Sequence, residues 1–124
     1  MPADLAANIL VVARILMGGA FFVAGVRSTQ SFPKLVPVMT TLGAPFPPVA
    51  LAIGIALKLV CGAALALGLW PAYAAAGLIV FLIAATLLFH KFWTYQGRER
   101  VEHINAFISN TALVGGFLAV AVSL

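Results

Sequence analysis

Four long apolar segments, separated by short runs that contain most of the polar residues, dominate the chain. Their approximate limits are residues 6–26, 48–70, 72–92 and 104–124. Each is close to the roughly 20 residues that an α-helix needs to cross the hydrocarbon core of a bilayer. The pattern predicts an all-α, polytopic membrane protein, built as a bundle of four transmembrane helices in a single domain over residues 1–124.

The connections between these segments predict how the helices are joined. Pro71 alone separates the second and third segments, so we expect these two helices to be antiparallel neighbours. Between the first and second segments, Ser31 precedes Pro33 and Gly43 follows a short apolar run, which is the order of a helix cap, a first-turn proline and a stop. We therefore expect a short interfacial helix between helices 1 and 2, kinked or shortened by Pro37.

Composition agrees with a membrane protein and excludes several other classes. Of the 124 residues, 64% are hydrophobic and 8% are charged, whereas about 25% of a soluble domain is charged. An ordinary soluble enzyme and a disordered tail are therefore excluded. No nucleic-acid binding is expected, because the cations are scattered between apolar runs. Cys61 is the single cysteine, which excludes an internal disulfide, and the long first apolar run lacks the basic leader of a removable signal peptide.

The distribution of Lys and Arg predicts the orientation of the chain. The first and third connections contain five of these residues: Arg27, Lys34, Lys91, Arg98 and Arg100. The termini and the turn at Pro71 contain none. The positive-inside rule then places both connections in the cytoplasm and both termini on the non-cytoplasmic side of the inner (plasma) membrane. Residues 95–103, the strongly polar part of the third connection, are expected to be a solvated loop or a helix end.

Lys58, in the middle of the second apolar segment, is the sharpest candidate for ligand binding. An ionised lysine at a helix centre costs about 2.5 to 3.5 kcal/mol on insertion scales, so such a residue usually faces the bundle interior. It belongs to a stripe of small residues at intervals of four: Ala50, Gly54, Gly62 and Ala66. The stripe predicts that Lys58 points into a tight space between helices. The alternative is a structural lysine that bonds backbone carbonyls or water.

Arg14, His90 and Asn110 are the other candidate ligand-binding residues. Arg14 either reaches towards the outer surface and Asp4, or points inwards and forms an electropositive interior with Lys58. His90 is expected to be an interfacial hydrogen-bonding residue, with a proton carrier or a ligand as the alternative. Asn110 is expected to fasten two helices. We predict no catalytic residue and no metal site, since two histidines without carboxylates are a weak metal signal.

Several short motifs, in their order and spacing, resemble the DoxX family of small four-helix membrane proteins over nearly the whole chain. The residues that carry this resemblance are Arg14 with Phe21-Phe22 and Ala24-Gly25, Leu42-Gly43-Ala44-Pro45, Cys61-Gly62 to Leu67-Gly68, Ala85-Thr86-Leu87-Leu88-Phe89-His90-Lys91-Phe92-Trp93, and Asn110 with Gly115-Gly116. Two positions depart from the family pattern. Lys58 stands where the family commonly has an acid, and Ser109 stands where it commonly has a lysine.

The resemblance implies a role close to quinone chemistry, since relatives are linked to quinone-associated sulfur oxidation, to catechol and quinone resistance, and to membrane complexes that handle oxidative stress. We therefore expect an accessory or quinone-interacting subunit of a membrane redox system, which binds a small apolar or anionic ligand in the bundle. A quinone is the expected cofactor, not covalently bound, and a membrane or peripheral oxidoreductase is the expected partner. The alternatives are a transporter or channel for a small anionic or neutral solute, and a structural or assembly partner of another membrane protein. A homo-oligomer is compatible with all of them.

Overall fold

The computed structural model of the protein describes residues 1–122, which form five α-helices and one short 3-10 turn. The elements are α1 (Ala3–Gln30), α2 (Phe32–Thr41), α3 (Pro47–Leu67), α4 (Pro71–Phe89), the 3-10 turn (Phe92–Thr94) and α5 (Gly97–Val122). Every helix except α2 is long and apolar enough to cross a membrane. No strand occurs in this part of the chain. The predicted all-α architecture with four spanning helices is confirmed.

The helices differ from their predicted limits mainly at the ends. α1 continues past residue 26 to Gln30, and α5 begins at Gly97 rather than at 104. The polar run 95–103 therefore largely forms the first turns of α5, so it is a helix end and not a solvated loop. Polar side chains do not stop a helix whose backbone groups are paired, so hydropathy alone places these ends too late or too early. Residues 123 and 124, predicted to end the last span, lie outside the described part of the chain.

The turn between α3 and α4 is tight because its residues adopt left-handed backbone conformations. Gly68, with φ of 76°, ends α3, and Trp70, with φ of 42°, precedes Pro71 at the start of α4. Proline fits the first turn of a helix, where its missing N–H would have no partner. α3 and α4 pack against each other as antiparallel neighbours, as the sequence predicts.

A ten-residue helix, α2, fills the connection between the first two spans. Pro33 lies in its first turn, Pro37 lies inside it without ending it, and Gly43, with φ of 81°, follows it. Ser31 occupies the cap position but its side chain makes no capping hydrogen bond. Its φ of −95° and ψ of 8° are close to helical, whereas a capping side chain needs an extended backbone. The helix is present, and its place at the lipid interface stays a prediction.

The spanning helices form a ring in which α3 lies between α1 and α4, and α5 packs against α4. The closest approach is between α1 and α3, where Gly18 faces Gly62 and Ala66. The ring closes where Phe21 of α1 meets Phe117 of α5, with ring centroids 5.4 Å apart. α2 packs on α3 and on the end of α1, away from that closure. A hydrophobic cluster of Met39, Ala44, Leu51 and Ile55 is buried between α2 and α3.

Candidate functional site

Lys58 lies near the middle of α3, about 15 Å from either end of the helix at 1.5 Å per residue. Its Nζ donates a hydrogen bond to Ser28 Oγ of α1, at 2.6 Å. The same ammonium lies over the ring of Phe81 of α4, 5.1 Å from the ring centroid. A cation over an aromatic face is attracted by the quadrupole of the ring, which makes the electrostatic potential over that face negative. Three helices therefore meet at this amine.

A cavity of about 440 Å³ adjoins the amine. Its walls come from α2, α3 and α4, with Ser28 contributed by α1. Lys58 and Ser28 are the polar side chains of this lining, and the other lining residues are apolar. Its volume falls within the range of about 300 to 1,000 Å³ that is usual for small-molecule sites. An apolar chamber with one convergent pair of polar groups is the arrangement such sites use to orient a ligand.

The stripe of small residues on α3 faces two different surroundings. A Cβ added to Gly62 would lie 2.8 Å from Gly18 O, whereas a Cβ added to Gly54 would meet the Phe81 ring at 3.2 Å. Residues at intervals of four drift by about 40° around a helix with 3.6 residues per turn. The prediction of a tight space around Lys58 is therefore wrong in part. Close helix contact occurs at Gly62, and the Gly54 end of the stripe lines the cavity.

Arg14 of α1 lies next to the C-terminal end of α3, whereas the cavity lies along the N-terminal half of α3. Its Nη1 would be 2.6 Å from a Cβ added to Gly68, so the guanidinium lies against the α3–α4 turn. Ten residues separate Gly68 from Lys58, which is about 15 Å along the helix. The structure therefore does not bring Arg14 and Lys58 into one electropositive site. Arg14 Nε is buried and makes no hydrogen bond within the described residues.

His90 follows the last residue of α4 and pairs with His103 of α5. Their Nδ1 atoms are 3.0 Å apart, so one nitrogen donates and the other accepts. Tyr95 stacks on the His103 ring, with centroids 4.0 Å apart. Among the described residues, no group of three or more metal-ligating side chains occurs at this or any other position. The pair joins α4 to α5 at the end of the bundle where α2 lies.

Asn110 donates a hydrogen bond from Nδ2 to Thr86 Oγ1, at 2.9 Å. Thr86 is buried on α4, so the bond joins two spanning helices, as the sequence predicts for Asn110. A small cavity of about 110 Å³ lies beside it, lined chiefly by apolar residues of α4 and α5. Neither Asn110 nor His90 lines the larger cavity at Lys58. Of the four candidate residues, Lys58 alone borders that cavity.

Ser28, Phe81 and Thr86 are contributors to these sites that sequence reasoning missed. Thr86 carried a signal, because it is a hydroxyl in the middle of an apolar stretch. Ser28 follows Arg27 and is assigned by hydropathy to the polar connection, because the predicted helix ends at residue 26. The continuation of α1 to Gln30 places Ser28 on the helix, where it reaches Lys58.

Comparison with known proteins gives the chain its family. The family model described as DoxX matches residues 9–91, which is more than half of the chain. The chain belongs to the DoxX family. It is also similar to the inner membrane protein YphA of Escherichia coli (strain K12), with 25% identity over 115 residues, 93% of this chain and 82% of YphA. No solved structure matches.

The part that matches the DoxX family includes Arg14, Lys58 and His90, and it ends before Asn110. The protein is thus a multi-pass inner membrane protein of this family, in contact with the lipid bilayer. The cavity is formed within the matched residues, since its lining extends from Ser28 to Phe89. A ligand site at Lys58 would therefore belong to the DoxX part of the chain.

Proposed function

We propose that this DoxX protein is a quinone-interacting accessory subunit of a membrane redox system, with the cavity at Lys58 as its ligand site. The observation that carries the proposal is the placement of one hydrogen-bonding pair, Lys58 at the middle of α3 and Ser28 near the end of α1, in the wall of an otherwise apolar cavity. A quinone head is flat, apolar over most of its surface, and polar at its carbonyl oxygens. It has the chemistry that such a lining recognises.

Lys58 supplies the directional contact in this proposal. Its ammonium has three donors, and Ser28 Oγ accepts one of them. The remaining donors are available to a carbonyl oxygen in the cavity. Phe81 lies beside the amine and offers its ring to a flat head as well as to the cation. A hydrogen bond to a charged donor in an apolar site contributes about 1.5 to 3 kcal/mol.

The accessory role follows from the chemistry of the chain. A quinone cycle moves two electrons, and Cys61 is the single cysteine, so the chain itself holds no dithiol that could supply them. We therefore assign the electron transfer to a flavin, a haem or another redox group of a partner oxidoreductase. Purification from native membranes, followed by mass spectrometry of bound proteins and small molecules, tests this part. Recovery of an oxidoreductase and a quinone supports it, and recovery of a solitary protein without ligand contradicts it.

The binding part is tested with the purified protein in detergent and the tail-less ubiquinone head as the probe. At a free ligand concentration of about 100 times Kd, binding adds about 2.7 kcal/mol to the free energy of unfolding. We expect a raised unfolding temperature for the natural protein and no rise for Lys58→Met. Lys34→Met is the matched control, because Lys34 is exposed on α2 and does not line the cavity. A rise that survives Lys58→Met, or no rise in the natural protein, would refute the site.

A further inference from the structure

The cavity at Lys58 is open on its side, in the groove between α3 and α4. Three of its lining residues are exposed, namely Ile53 (57%), Val80 (62%) and Ala84. Val80 and Ala84 are one turn apart on the same face of α4, and Ile53 lies across the groove on α3. The cavity is closed towards α2, since Leu51 and Ile55, which pack in one cluster with Met39 of α2, are each 8% exposed. These three exposed residues define the side opening of the cavity.

The side opening lies at the depth of the lipid tails. Val80 is at the middle of α4, about 14 Å from either end of the helix at 1.5 Å per residue, and Ile53 and Ala84 lie about 9 Å and about 8 Å from the nearer ends of α3 and α4. The hydrocarbon core of a bilayer is about 30 Å thick. An opening at this depth faces acyl chains and not water. The Lys58 amine lies near this level, because its Nζ is 5.1 Å from the ring centroid of Phe81, the residue that follows Val80, and it donates a hydrogen bond to Ser28 Oγ.

The volume of the cavity limits the size of the ligand that it can enclose. A volume of about 440 Å³ is near the lower end of the range for small-molecule sites. It accommodates a ring-sized head and leaves no room for a long hydrocarbon tail. The side opening supplies the missing space, because a tail that leaves through it stays in lipid and exposes no apolar surface to water.

From this geometry we propose that the ligand is a lipid-dissolved amphiphile, with a small carbonyl-bearing head and a long hydrocarbon tail, which enters laterally from the bilayer through the side opening. This inference rests on the proposed function and narrows its ligand class. The head lies against Lys58 and Ser28, and the tail passes between Ile53 and Ala84. Water-soluble quinones bind the same head site but gain nothing from the opening.

The test compares two probes that share one head, the tail-less ubiquinone head and decylubiquinone, with the protein in lipid nanodiscs. Ala84→Trp narrows the side opening without touching Lys58, and the added ring can extend into lipid because Ala84 is exposed. We expect this variant to weaken decylubiquinone binding about tenfold, or about 1.4 kcal/mol, because the indole occupies the path of the tail. Binding of the tail-less head should stay within about twofold, which is less than 0.5 kcal/mol.

Ala76→Trp is the matched control, since Ala76 is an exposed alanine of the same helix that does not line the cavity. It should leave the binding of both probes unchanged. Val80→Trp is a second variant at the opening, and it should repeat the effect of Ala84→Trp. Both opening variants are required to keep the unfolding temperature of the natural protein.

The possible results distinguish failure of lateral entry from failure of the proposed function. Equal weakening of both probes by Ala84→Trp, or no weakening of either, overturns lateral entry and leaves the head site in place. Absence of binding of both probes to the natural protein overturns the proposed function and this inference with it. Selective weakening of decylubiquinone by both opening variants supports the inference.

Discussion

Thr86 of α4 and Asn110 of α5 form a side-chain hydrogen bond that joins the two helices within apolar surroundings. Within a bilayer neither group can form a hydrogen bond to bulk water instead, which suggests that the bond between them is strong. Such bonds nevertheless stabilise membrane proteins only modestly. Measured couplings between side chains of membrane helices average about 0.6 kcal/mol and reach about 1.7 kcal/mol. The bond therefore specifies which faces of the two helices meet more than it determines their stability.

A double-mutant cycle tests this bond at the scale of single residues. We expect Asn110→Leu and Thr86→Val, which keep shape and remove polarity, to show a coupling of about 0.6 to 1.7 kcal/mol in the free energy of unfolding. Unfolding in mixed micelles with increasing dodecyl sulfate gives the four values. Ser109→Ala is the control, because Ser109 is the exposed neighbour of Asn110. Strictly additive effects of the two substitutions would show that the hydrogen bond contributes nothing.

Sequence reasoning finds one member of a polar pair more readily than its partner. Lys58 and Asn110 stand out because a charge or an amide in a spanning segment is costly and therefore rare. Their partners, Ser28 and Thr86, lie 30 and 24 residues away along the chain. The rotation and register of each helix determine which distant polar residue comes into contact with Lys58 or Asn110. Hydropathy carries no information about either.

Among the helices, α1 and α3 make the closest contact, which two facing glycines allow. A Cβ added to Gly18 would lie 2.5 Å from Gly62 O, and one added to Gly62 would lie 2.8 Å from Phe22 N. Backbone atoms cannot move away from such a contact without separating the helices. In lipid, where dispersion contacts and not the hydrophobic effect hold helices together, this separation loses much of the interaction.

Gly18 and Gly19 are neighbours on α1 for which we predict opposite effects of substitution. Gly18→Ala should lower the free energy of unfolding by about 1 to 3 kcal/mol, because the added methyl overpacks the contact with α3. Gly19→Ala should leave it unchanged or raise it by at most about 1 kcal/mol, since nothing lies within 4 Å of the added atom and alanine favours a helix. Unfolding in dodecyl sulfate micelles measures both. Equal losses in the two variants would contradict the packing described for α1.

At the level of whole elements, the sequence predicts the cores of the spans well and their ends poorly. A run of apolar residues long enough for a bilayer has few alternatives to a spanning helix. The ends depend on local backbone states, such as the left-handed conformations of Gly68 and Trp70, and on the polar turns that extend α1 and α5. The extension of α1 matters most, because it is what brings Ser28 to Lys58.

Across the whole molecule, the two ends of the bundle differ in chemistry. Five cations follow or flank the ends of α1 and α4 and the start of α5: Arg27, Lys34, Lys91, Arg98 and Arg100. Arg14 lies towards the other end, at the α3–α4 turn, where Trp70 and Tyr73 are 75% and 79% exposed. Exposed Trp and Tyr near a helix end are typical of a membrane interface. The cavity is formed in the half of the bundle next to the five cations, where α2 takes up the space beyond the end of α1.

The asymmetry of charge predicts that both termini lie outside the cytoplasm, and reporter fusions test this directly. A C-terminal fusion to alkaline phosphatase, which is active only outside the cytoplasm, should be active, and a C-terminal fusion to a reporter active only in the cytoplasm should be silent. Fusions after Gln96 should give the reverse pattern, because Gln96 lies in the connection that carries the cations. Since Lys and Arg near the spans set the orientation, Arg98→Gln together with Arg100→Gln should raise the cytoplasmic signal of the C-terminal fusion. An active cytoplasmic reporter on the unaltered chain would invert the assignment and place the half that contains the cavity on the opposite side of the membrane.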